Sequence, residues 1–140
     1  MILDKWSALL ALQRATHATL HALAVQVVDF GLTPAEINAL ANLADNRLRT
    51  VSELAQLIGS PPTTATSVLD RLEHRGHVTR NRHPTDRRAL IVELTPSGRR
   101  AAASIRRAIT RLEQQLLGDL DTTSIGGLRA GLDALAGAAS

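Results

Sequence analysis

The stretch that decides the fold runs from Thr50 to Thr95 and reads TVSELAQLIGSPPTTATSVLDRLEHRGHVTRNRHPTDRRALIVELT. It has three parts in a fixed order: a short helix with its own caps (TVSELAQLIG), a second amphipathic helix (SPPTTATSVLDRLEHRG) and an Arg-rich strand–loop–strand (HVTRNRHPTDRRALIVELT). A helix-turn-helix followed by a basic β-hairpin can fill a DNA major groove and reach the neighbouring minor groove at the same time. The order of these parts therefore predicts a DNA-binding surface.

The second helix of this pair, residues 61–74, separates into a buried face and an outward face. Its apolar residues recur at helical spacing, which turns the small polar residues outward. Burial is predicted for Ala65, Val68, Leu69 and Leu72, and the outward residues are Thr63, Thr64, Thr66, Ser67, Asp70, Arg71 and His74. Thr and Ser hydroxyls can bond several base edges, and Arg71 could reach a guanine or a phosphate. An ordinary solvated face is the alternative interpretation of the same pattern.

Four arginines crowd around the turn of the predicted hairpin, which Pro84-Thr85-Asp86 marks. They are Arg80, Arg82, Arg87 and Arg88. Arginine is favoured in a narrow minor groove because the negative potential is enhanced there. Asp86 can hold a neighbouring guanidinium in a fixed fork, so that an arginine arrives at the groove already oriented. A solvated hairpin with a local ion pair is the alternative.

Composition limits the class of protein. At 140 residues the chain is long enough for one domain with a real core, and an Ala- and Leu-rich composition with one Trp and one Phe favours helix. No apolar run reaches about 18 residues and the N-terminus has no basic region with a cleavage site, so we expect neither a membrane span nor a signal peptide. The absence of cysteine excludes a disulfide framework, a thiolate zinc site and a thiol redox sensor. These features are typical of a cytoplasmic protein.

Charge is concentrated in the middle of the chain. The formal net charge is +3, but residues 47–100 carry ten Arg against five Asp or Glu, and the rest of the chain is slightly acidic. A basic middle between weakly acidic flanks is typical of a nucleic-acid-binding lobe on a neutral scaffold.

Helix signals lie before and within the deciding stretch. The spacing of apolar residues predicts one long helix over 3–30. Capping boxes, in which a Glu follows a Thr by three residues, begin the next two helices at Thr33 and Thr50. Ser60 is expected to cap the helix that begins at Pro61. The helix before it is expected to bury Leu54, Leu57 and Ile58.

Two further helices follow the hairpin, one capped by Thr95 and the other beginning after Asp121. We therefore expect a mainly α fold with a small β-wing, in which a winged helix-turn-helix lobe is inserted in an all-helical dimerisation layer. The apolar seams at both chain ends favour a homodimer, although they could also pack on each other within one chain. The expected parts are a single domain over 1–140, a DNA-binding lobe over 33–95 and a helical dimerisation layer over 1–31 and 96–140.

The helix pair SELAQLIG…TTATSVLDRLEHRGHV, the wing DRRALIVELT and the entry Leu32-Thr33-Pro34 together resemble the MarR family of bacterial transcription regulators. The resemblance covers essentially the whole chain. It implies a homodimer whose first and last helices intertwine while two winged lobes straddle a palindrome. It also implies that Asp86 orients Arg88, that Arg88 enters the minor groove, and that half-sites lie about one turn, roughly 10 base pairs, apart.

The chain departs from the family pattern at Ser67, where many members have a basic residue on the base-facing side of the recognition helix. Without that residue, readout of the major groove depends on hydroxyls, Arg71, DNA shape and the wing. We therefore expect modest discrimination, with each mismatched base pair costing no more than about 1–3 kcal/mol.

Members of this family often release DNA when a small molecule binds between the dimerisation layer and the DNA-binding lobes. The candidate pocket residues are Arg14, His17, His21, Asn38 and Asn42. His17 and His21 lie one helical turn apart, and such a pair can ligate a metal or titrate near neutral pH. Because His17 falls on an apolar stripe, a hydrogen-bonded residue of a core or an interface is the favoured alternative, and we assign no metal.

The residues bear on three classes of function. The leading hypothesis is a sequence-specific regulator, most simply a homodimeric repressor that binds double-stranded DNA and is relieved by an effector if one exists. The alternative is a winged-helix module that binds a protein partner, although such a module has no need for Arg87 and Arg88 beside Asp86. An enzyme is disfavoured because we find no nucleophile–base pair, no phosphate-cradling glycine loop and no metal cluster beyond the weak His17/His21 pair, and we expect no cofactor.

Overall fold

The computed structural model describes residues 7–139, with side chains as far as Gly137. The described helices are α1 (Ala8–Gln26), α2 (Pro34–Leu43), α3 (Val51–Ile58), α4 (Pro62–His74), α5 (Pro96–Leu117) and α6 (Thr122–Ala139), and the strands are β1 (Arg49–Thr50), β2 (Val78–Arg82) and β3 (Leu90–Leu94). The chain forms two compact units, one ending at Ala108 and one beginning at Ile109. A mainly α fold with a small β-wing is thereby confirmed.

The first unit is built around α2, α3 and α4. Apolar side chains from all three helices are excluded from water, and burial of this kind is the main favourable term in folding. The largest of these buried residues are Ile37, Leu40, Leu43, Leu54, Leu69 and Leu72, with Ile105 from α5. The predicted apolar stripe of α4 is therefore confirmed.

A three-stranded antiparallel sheet completes this unit, with the strands in the order β1-β3-β2. Strands β2 and β3 form the predicted hairpin, with Val78 opposite Leu94 and Arg82 opposite Leu90. The short strand β1, which pairs Arg49 with Val92, was not predicted. Two residues carry too little alternation for a period of two to be visible.

Helices α2 and α3 begin in the same way. The Thr33 hydroxyl accepts from the backbone N–H of Glu36 at 3.2 Å, and the Thr50 hydroxyl accepts from that of Glu53 at 3.1 Å. Both bonds satisfy a backbone donor that the helix leaves open. The two predicted capping boxes are confirmed in their hydroxyl-to-amide half.

The predicted start of α4 was wrong by one residue. Its N-cap is Pro61 in an extended conformation, with no side-chain cap, because a residue that precedes a proline is pushed out of the helical region. Ser60 instead donates its backbone N–H to the Ala55 carbonyl at 3.1 Å, which closes the end of α3 beyond Gly59. Gly59 has a φ of 67°, a conformation that glycine adopts without strain.

Two other expectations need correction. The first helix ends at Gln26 and a 3-10 turn over Val28–Phe30 follows, so the predicted helix over 3–30 is shorter at its C-terminus; residues 1–6 lie outside the described residues. Leu57 was expected in the core but is 50% exposed. It lies away from the arc of α3 that Leu54 and Ala55 share, since successive residues turn by about 100° around a helix.

Helix α5 begins close to the base of the hairpin. The Thr95 hydroxyl accepts from the Gly98 N–H at 3.0 Å, which confirms the predicted cap. A Cβ atom on Gly98 would lie 1.9 Å from the His77 carbonyl oxygen, so the backbone of α5 meets the backbone before β2 at a distance that only glycine permits.

The second unit contains the end of α5 and all of α6. The Asp121 carboxylate accepts from the Ser124 N–H at 2.7 Å, and its hydrogen bonds to Ser124 lower the pKa of Asp121 below its usual range. Several of its leucines are exposed in the single chain: Leu116, Leu120, Leu128 and Leu132. Within the described residues, no helix is both long enough and apolar enough to cross a membrane.

Candidate nucleic-acid interface

The outward face of α4 is where the sequence placed it. All seven predicted outward residues are exposed: Thr63, Thr64, Thr66, Ser67, Asp70, Arg71 and His74. The Ser67 hydroxyl donates to the Thr63 carbonyl at 3.3 Å, so its proton is shared with the helix backbone. No side chain caps this helix, which leaves its first backbone N–H groups open toward solvent. An exposed row of hydroxyls at an open helix N-terminus suits both base edges and phosphates.

Arg80 has a different place from the one expected of it. Its Nε lies 2.6 Å from Glu73 Oε2 and its Nη2 lies 2.6 Å from Asp70 Oδ1, so this residue of β2 ties the wing to α4. Burial disfavours the charged form of Arg80, but the bonds to Glu73 and Asp70 outweigh it and raise the pKa of the guanidinium. Both of these edges of the guanidinium are occupied within the chain. Arg80 therefore joins β2 to α4, and the DNA contact expected of it stays a prediction.

Arg71 and Arg75, one turn apart at the end of α4, both face the buried carboxylate of Glu36. The Arg71 Nε lies 3.5 Å from Glu36 Oε1, and the Arg75 Nε lies 3.9 Å from Glu36 Oε2. Arg75 also donates from Nη1 to the Phe30 carbonyl at 3.3 Å. The Arg71 side chain is 49% exposed, so it remains accessible to solvent although its Nε faces Glu36.

The turn of the wing is organised by His83 and Asp86. The His83 Nδ1 accepts from the backbone N–H groups of Thr85 at 3.2 Å and Asp86 at 3.1 Å. The Asp86 Oδ1 accepts from the backbone N–H of Arg88 at 3.0 Å. The sequence interpretation had Asp86 holding a guanidinium, and that detail is wrong: among the described residues Asp86 has no ion pair within 4 Å. An aspartate side chain readily accepts from the backbone N–H two residues further along the chain, and here that N–H belongs to Arg88.

The arginines at the tip of the wing form no ion pair with any carboxylate of the described residues. Arg82, Arg87 and Arg88 are exposed, and none forms an ion pair within 4 Å in the part of the chain that is described. An unpaired guanidinium offers five N–H donors in a fixed fork, which matches phosphate oxygens and acceptors in a groove.

The expected pocket residues lie on two helices. Arg14, His17 and His21 are exposed on α1. Asn42 donates from Nδ2 to the Asn38 carbonyl at 2.9 Å, and Asn38 donates from Nδ2 to the Ile58 carbonyl at 3.4 Å. The Asn38 amide thus links α2 to the end of α3, whereas the Asn42 amide bonds within α2. Within the described residues, no group of three or more His, Cys, Asp or Glu side chains could hold a metal ion.

Sequence reasoning missed the part that carboxylates play in this surface. Asp70 was seen only as an outward position, Glu73 was given no role, and Glu36 was seen only as part of a capping box. The i, i+3 spacing of Asp70 and Glu73 on one helix face is a signal for a shared cation. The burial of Glu36 has no comparable signal, because it depends on where the end of α4 crosses α2.

Known proteins of the same architecture were found by sequence and by structure. Residues 30–89 match the MarR family. The chain is similar to a putative transcriptional regulatory protein for the hcr operon of Thauera aromatica, with 32% identity over 98 residues, which are 70% of this chain and 59% of that protein. It is also similar to the HTH-type transcriptional repressor MdtR of Bacillus subtilis (strain 168), with 35% identity over 68 residues, 49% of this chain and 44% of the repressor. The matched segments therefore span about half the length of these curated relatives.

A solved structure matches over nearly the whole chain. The crystal structure of a probable transcriptional regulator from Pseudomonas aeruginosa superposes with a TM-score of 0.76 and 28% identity, covering 96% of this chain and 99% of that one. A helix-turn-helix followed by a basic hairpin, with a helix on either side, defines the class of winged-helix transcriptional regulators. Within that class, residues 30–89 resemble the MarR family, and the curated proteins similar to this chain are named as transcriptional regulators.

Proposed function

We propose that the protein is a sequence-specific DNA-binding regulator, most simply a homodimeric repressor that recognises a palindromic operator. In this proposal α4 lies in the major groove and the wing over 80–90 reaches the minor groove. The repressor role is suggested by the name of the Bacillus relative, and DNA binding by the family.

One observation carries the proposal: the exposed hydroxyl face of α4 and the unpaired arginines of the wing lie in the same compact unit. Phosphate contacts give affinity and base contacts give specificity, so a DNA-reading surface needs both kinds of group. A lobe that bound only a protein partner would gain nothing from leaving the wing-tip guanidiniums without carboxylates.

Each element has its own proposed task. The hydroxyls at the start of α4 contact base edges and neighbouring phosphates, and Arg71 contacts a guanine or a phosphate. Arg88 enters the minor groove, while Arg82 and Arg87 contact the flanking phosphates. Asp86 acts by holding the backbone of Arg88. The residues with hydroxyl roles are Thr63, Thr64, Thr66 and Ser67.

The homodimer and the effector are further parts of the proposal. The exposed leucines of the second unit suit an interface with a second copy, which would place two α4 helices on two half-sites.

A small-molecule effector that acts near Arg14, His17, His21, Asn38 and Asn42 would relieve repression. A thermal-shift screen of small organic anions, with His17→Ala as control, tests the effector.

The first experiment is a selection from randomised duplex DNA, followed by titration of the selected duplex across a range of salt concentrations. The wild type should enrich a palindrome and bind it with a steep salt dependence. Arg88→Ala should lower affinity by about 1–2 kcal/mol and flatten the salt slope by about 0.9 for each phosphate that the wing no longer neutralises.

Arg111→Ala is the matched control, because Arg111 is an exposed arginine of the second unit. It should bind the selected duplex like the wild type. A folded dimer that enriches no duplex contradicts the proposal and favours the protein-interaction alternative. Equal losses of affinity in the two variants would show that the wing has no special role.

A further inference from the structure

Glu36 is a charged side chain in an unusual place. It lies in the first turn of α2 and is only 1% exposed, the sole charged residue among the buried side chains of the described residues. A carboxylate removed from water is costly unless opposite charge and hydrogen bonds compensate it. Its compensation comes from two arginines of α4, so a buried group of α2 is coupled to the recognition helix.

The two carboxylate oxygens have different partners. Oε1 accepts from the Thr33 hydroxyl at 2.9 Å and lies 3.5 Å from the Arg71 Nε. Oε2 has no hydrogen-bond partner and lies 3.9 Å from the Arg75 Nε. Because Arg75 is also bonded to the Phe30 carbonyl at 3.3 Å, it closes the pocket of Glu36 from one side. The two side chains are similarly exposed, Arg71 at 49% and Arg75 at 44%, but among the described residues only Arg75 has a further bond to the protein.

The contact with Arg71 is made on one edge of its guanidinium. Glu36 faces the Nε edge, and within the described residues neither terminal nitrogen of Arg71 has a bond to the protein. A guanidinium held at Nε presents its two terminal nitrogens in a defined plane, which is the geometry for a paired contact to a guanine. The carboxylate also limits the rotamers of a long side chain before DNA arrives, which reduces the entropy lost on binding.

We propose that Glu36 is a positioning residue for base recognition: its buried carboxylate holds the Nε edge of Arg71 so that the terminal nitrogens of Arg71 face the DNA. This inference rests on the proposed function. It makes Glu36 a determinant of specificity although Glu36 itself touches no base. Its effect must pass through Arg71, and that requirement separates it from a purely structural role.

The chain contains a matched control for Glu36. Glu53 stands in the same place in α3, with the Thr50 hydroxyl bonded to its Oε1 at 3.2 Å and to its N–H at 3.1 Å. Glu53 is exposed and has no ion pair within 4 Å among the described residues. Glu36→Gln and Glu53→Gln therefore remove the same charge from the same kind of cap, and only the first removes the partner of Arg71.

The first test needs no DNA. The arginine Nε–H signals of the full-length protein are recorded by NMR in the wild type, Glu36→Gln and Glu53→Gln. Arg71 should give a slowly exchanging Nε–H signal in the wild type and in Glu53→Gln, and its exchange with water should become about tenfold faster in Glu36→Gln. Unchanged exchange of Arg71 in a folded Glu36→Gln variant overturns the inference.

The second test measures the ratio of affinities for the selected duplex and for a scrambled duplex. Glu36→Gln and Arg71→Ala should each lower this ratio roughly tenfold, and Glu53→Gln should leave it within about twofold. The double variant Glu36→Gln/Arg71→Ala should be no less specific than Arg71→Ala alone, because both changes act on one contact. Arg71→Lys, which keeps the charge but removes the fork, should also lower the ratio, and it covers the case in which Glu36→Gln does not fold.

Additive losses of specificity in the double variant, or an unchanged ratio in Glu36→Gln, overturn the inference while leaving the proposed function intact. A wild type that enriches no duplex overturns the proposed function instead. In that case the NMR comparison alone decides whether Glu36 positions Arg71.

Discussion

The proposed recognition helix α4 and the wing belong to one compact unit and both carry arginines, but their arginines are in opposite situations. The arginines at the end of α4 lie close to the buried carboxylate of Glu36. Asp70 and Glu73 of the same helix form ion pairs with Arg80. The arginines at the wing tip face no carboxylate within 4 Å among the described residues. An arginine that is ion-paired within the chain can present its guanidinium in a fixed orientation. An arginine without such a pair supplies positive charge on a mobile side chain.

In the proposed function, this contrast divides affinity and specificity between the wing and α4. A net basic charge of the lobe attracts any duplex, and that part of the affinity is independent of sequence. The helix, whose charges are largely neutralised within the chain, contributes little to such attraction and can discriminate by shape and hydrogen bonds. A protein of this design should be limited in specificity by α4 and in affinity by the wing.

The largest effect on the contrast between α4 and the wing should come from disrupting the contact between the start of α5 and the backbone that precedes β2. Gly98→Ala places a methyl group 1.9 Å from the His77 carbonyl, so α5 or the start of β2 must move. We expect a loss of about 3 kcal/mol in the free energy of unfolding, measured by chemical denaturation, together with weaker DNA binding.

Gly126→Ala is the control for that change. Gly126 lies in α6, and a Cβ there would meet no neighbouring atom within 4 Å among the described residues. Alanine should raise helix stability by about 0.5–1 kcal/mol at this position. If the two variants had similar stabilities, the close approach of α5 to His77 would be of no consequence.

The next largest effect should come from Arg80→Ala. The change removes one cation and leaves Asp70 and Glu73 uncompensated on the helix that approaches phosphates. Because those carboxylates are 60% and 45% exposed, the loss of fold stability should be only about 0.5–1 kcal/mol. The loss of DNA affinity should be larger, about 1–2 kcal/mol, because the wing loses its tie and the helix becomes acidic.

Arg80→Lys sharpens this prediction, since it keeps the charge and cannot bond both carboxylates as a fork. Its affinity should fall between those of the wild type and Arg80→Ala, as measured by anisotropy titration. If Arg80→Ala flattened the salt slope by the amount expected for a single phosphate and left thermal stability unchanged, Arg80 would be a direct DNA contact after all.

Ser67→Lys should make the helix more like the wing. It adds a cation to the proposed base-facing side of α4, where the family resemblance leads us to expect a basic residue, and it replaces a hydroxyl bonded to the Thr63 carbonyl. We expect an affinity gain of about 0.5–1 kcal/mol and a salt slope steeper by about 0.9. Thr66→Lys, on the same exposed face, is the comparison that tells a specific position from added charge alone.

The smallest expected effect concerns a held arginine outside α4 and the wing. Arg49 bonds Asp45 through two N–H groups, at 2.7 and 2.6 Å. The bond to Arg49, with help from the Arg47 N–H, lowers the pKa of Asp45 well below its usual range, and the same bond raises the pKa of Arg49. Because the Asp45 side chain is 41% exposed, solvent screening limits the benefit to about 0.5 kcal/mol.

The sign of the pH dependence follows from the lowered pKa of Asp45. Its contribution is complete above the ordinary carboxyl pKa of about 4 and is lost as the pH falls from there toward the lower pKa of the folded state. Asp45→Asn should therefore differ from the wild type in denaturation at neutral pH and converge with it in strong acid. Asp133→Asn, at an exposed position of α6, is the matched control for removing one carboxylate at neutral pH.

Sequence patterns were sufficient for the six described helices, for the β2–β3 hairpin and for the outward face of α4. Four buried positions at helical spacing determine which side chains share the opposite face, because the helical period is fixed by backbone geometry. The same reasoning wrongly predicted that Leu57 is buried. Helix α3 has only eight residues and contacts its neighbours along one narrow arc. Glycine and proline signals located most helix ends, and the proline pair at 61–62 moved one of them by a residue.

The partners of the arginines were beyond what a pattern can provide. Arg80 is seven residues from Glu73 along the chain, and only the path of β2 back along α4 brings the two together. Glu36 and Arg71 come from different helices, so their contact depends on the crossing of α2 and α4. Side-chain roles that depend on packing between elements have no period in the sequence. For the same reason a pattern could not show that Asp86 holds a backbone amide and not a guanidinium.

His83 makes the wing observable in solution. Its Nδ1 accepts two backbone N–H groups in the turn, so in the neutral ring the proton resides on Nε2. The nitrogen chemical shifts of this imidazole therefore distinguish a formed turn, with a single tautomer, from a loosened one, in which the tautomers exchange. A single native side chain can thus act as a spectroscopic reporter of loop order, in the free protein and during a titration, without a label that would alter the charge of the hairpin.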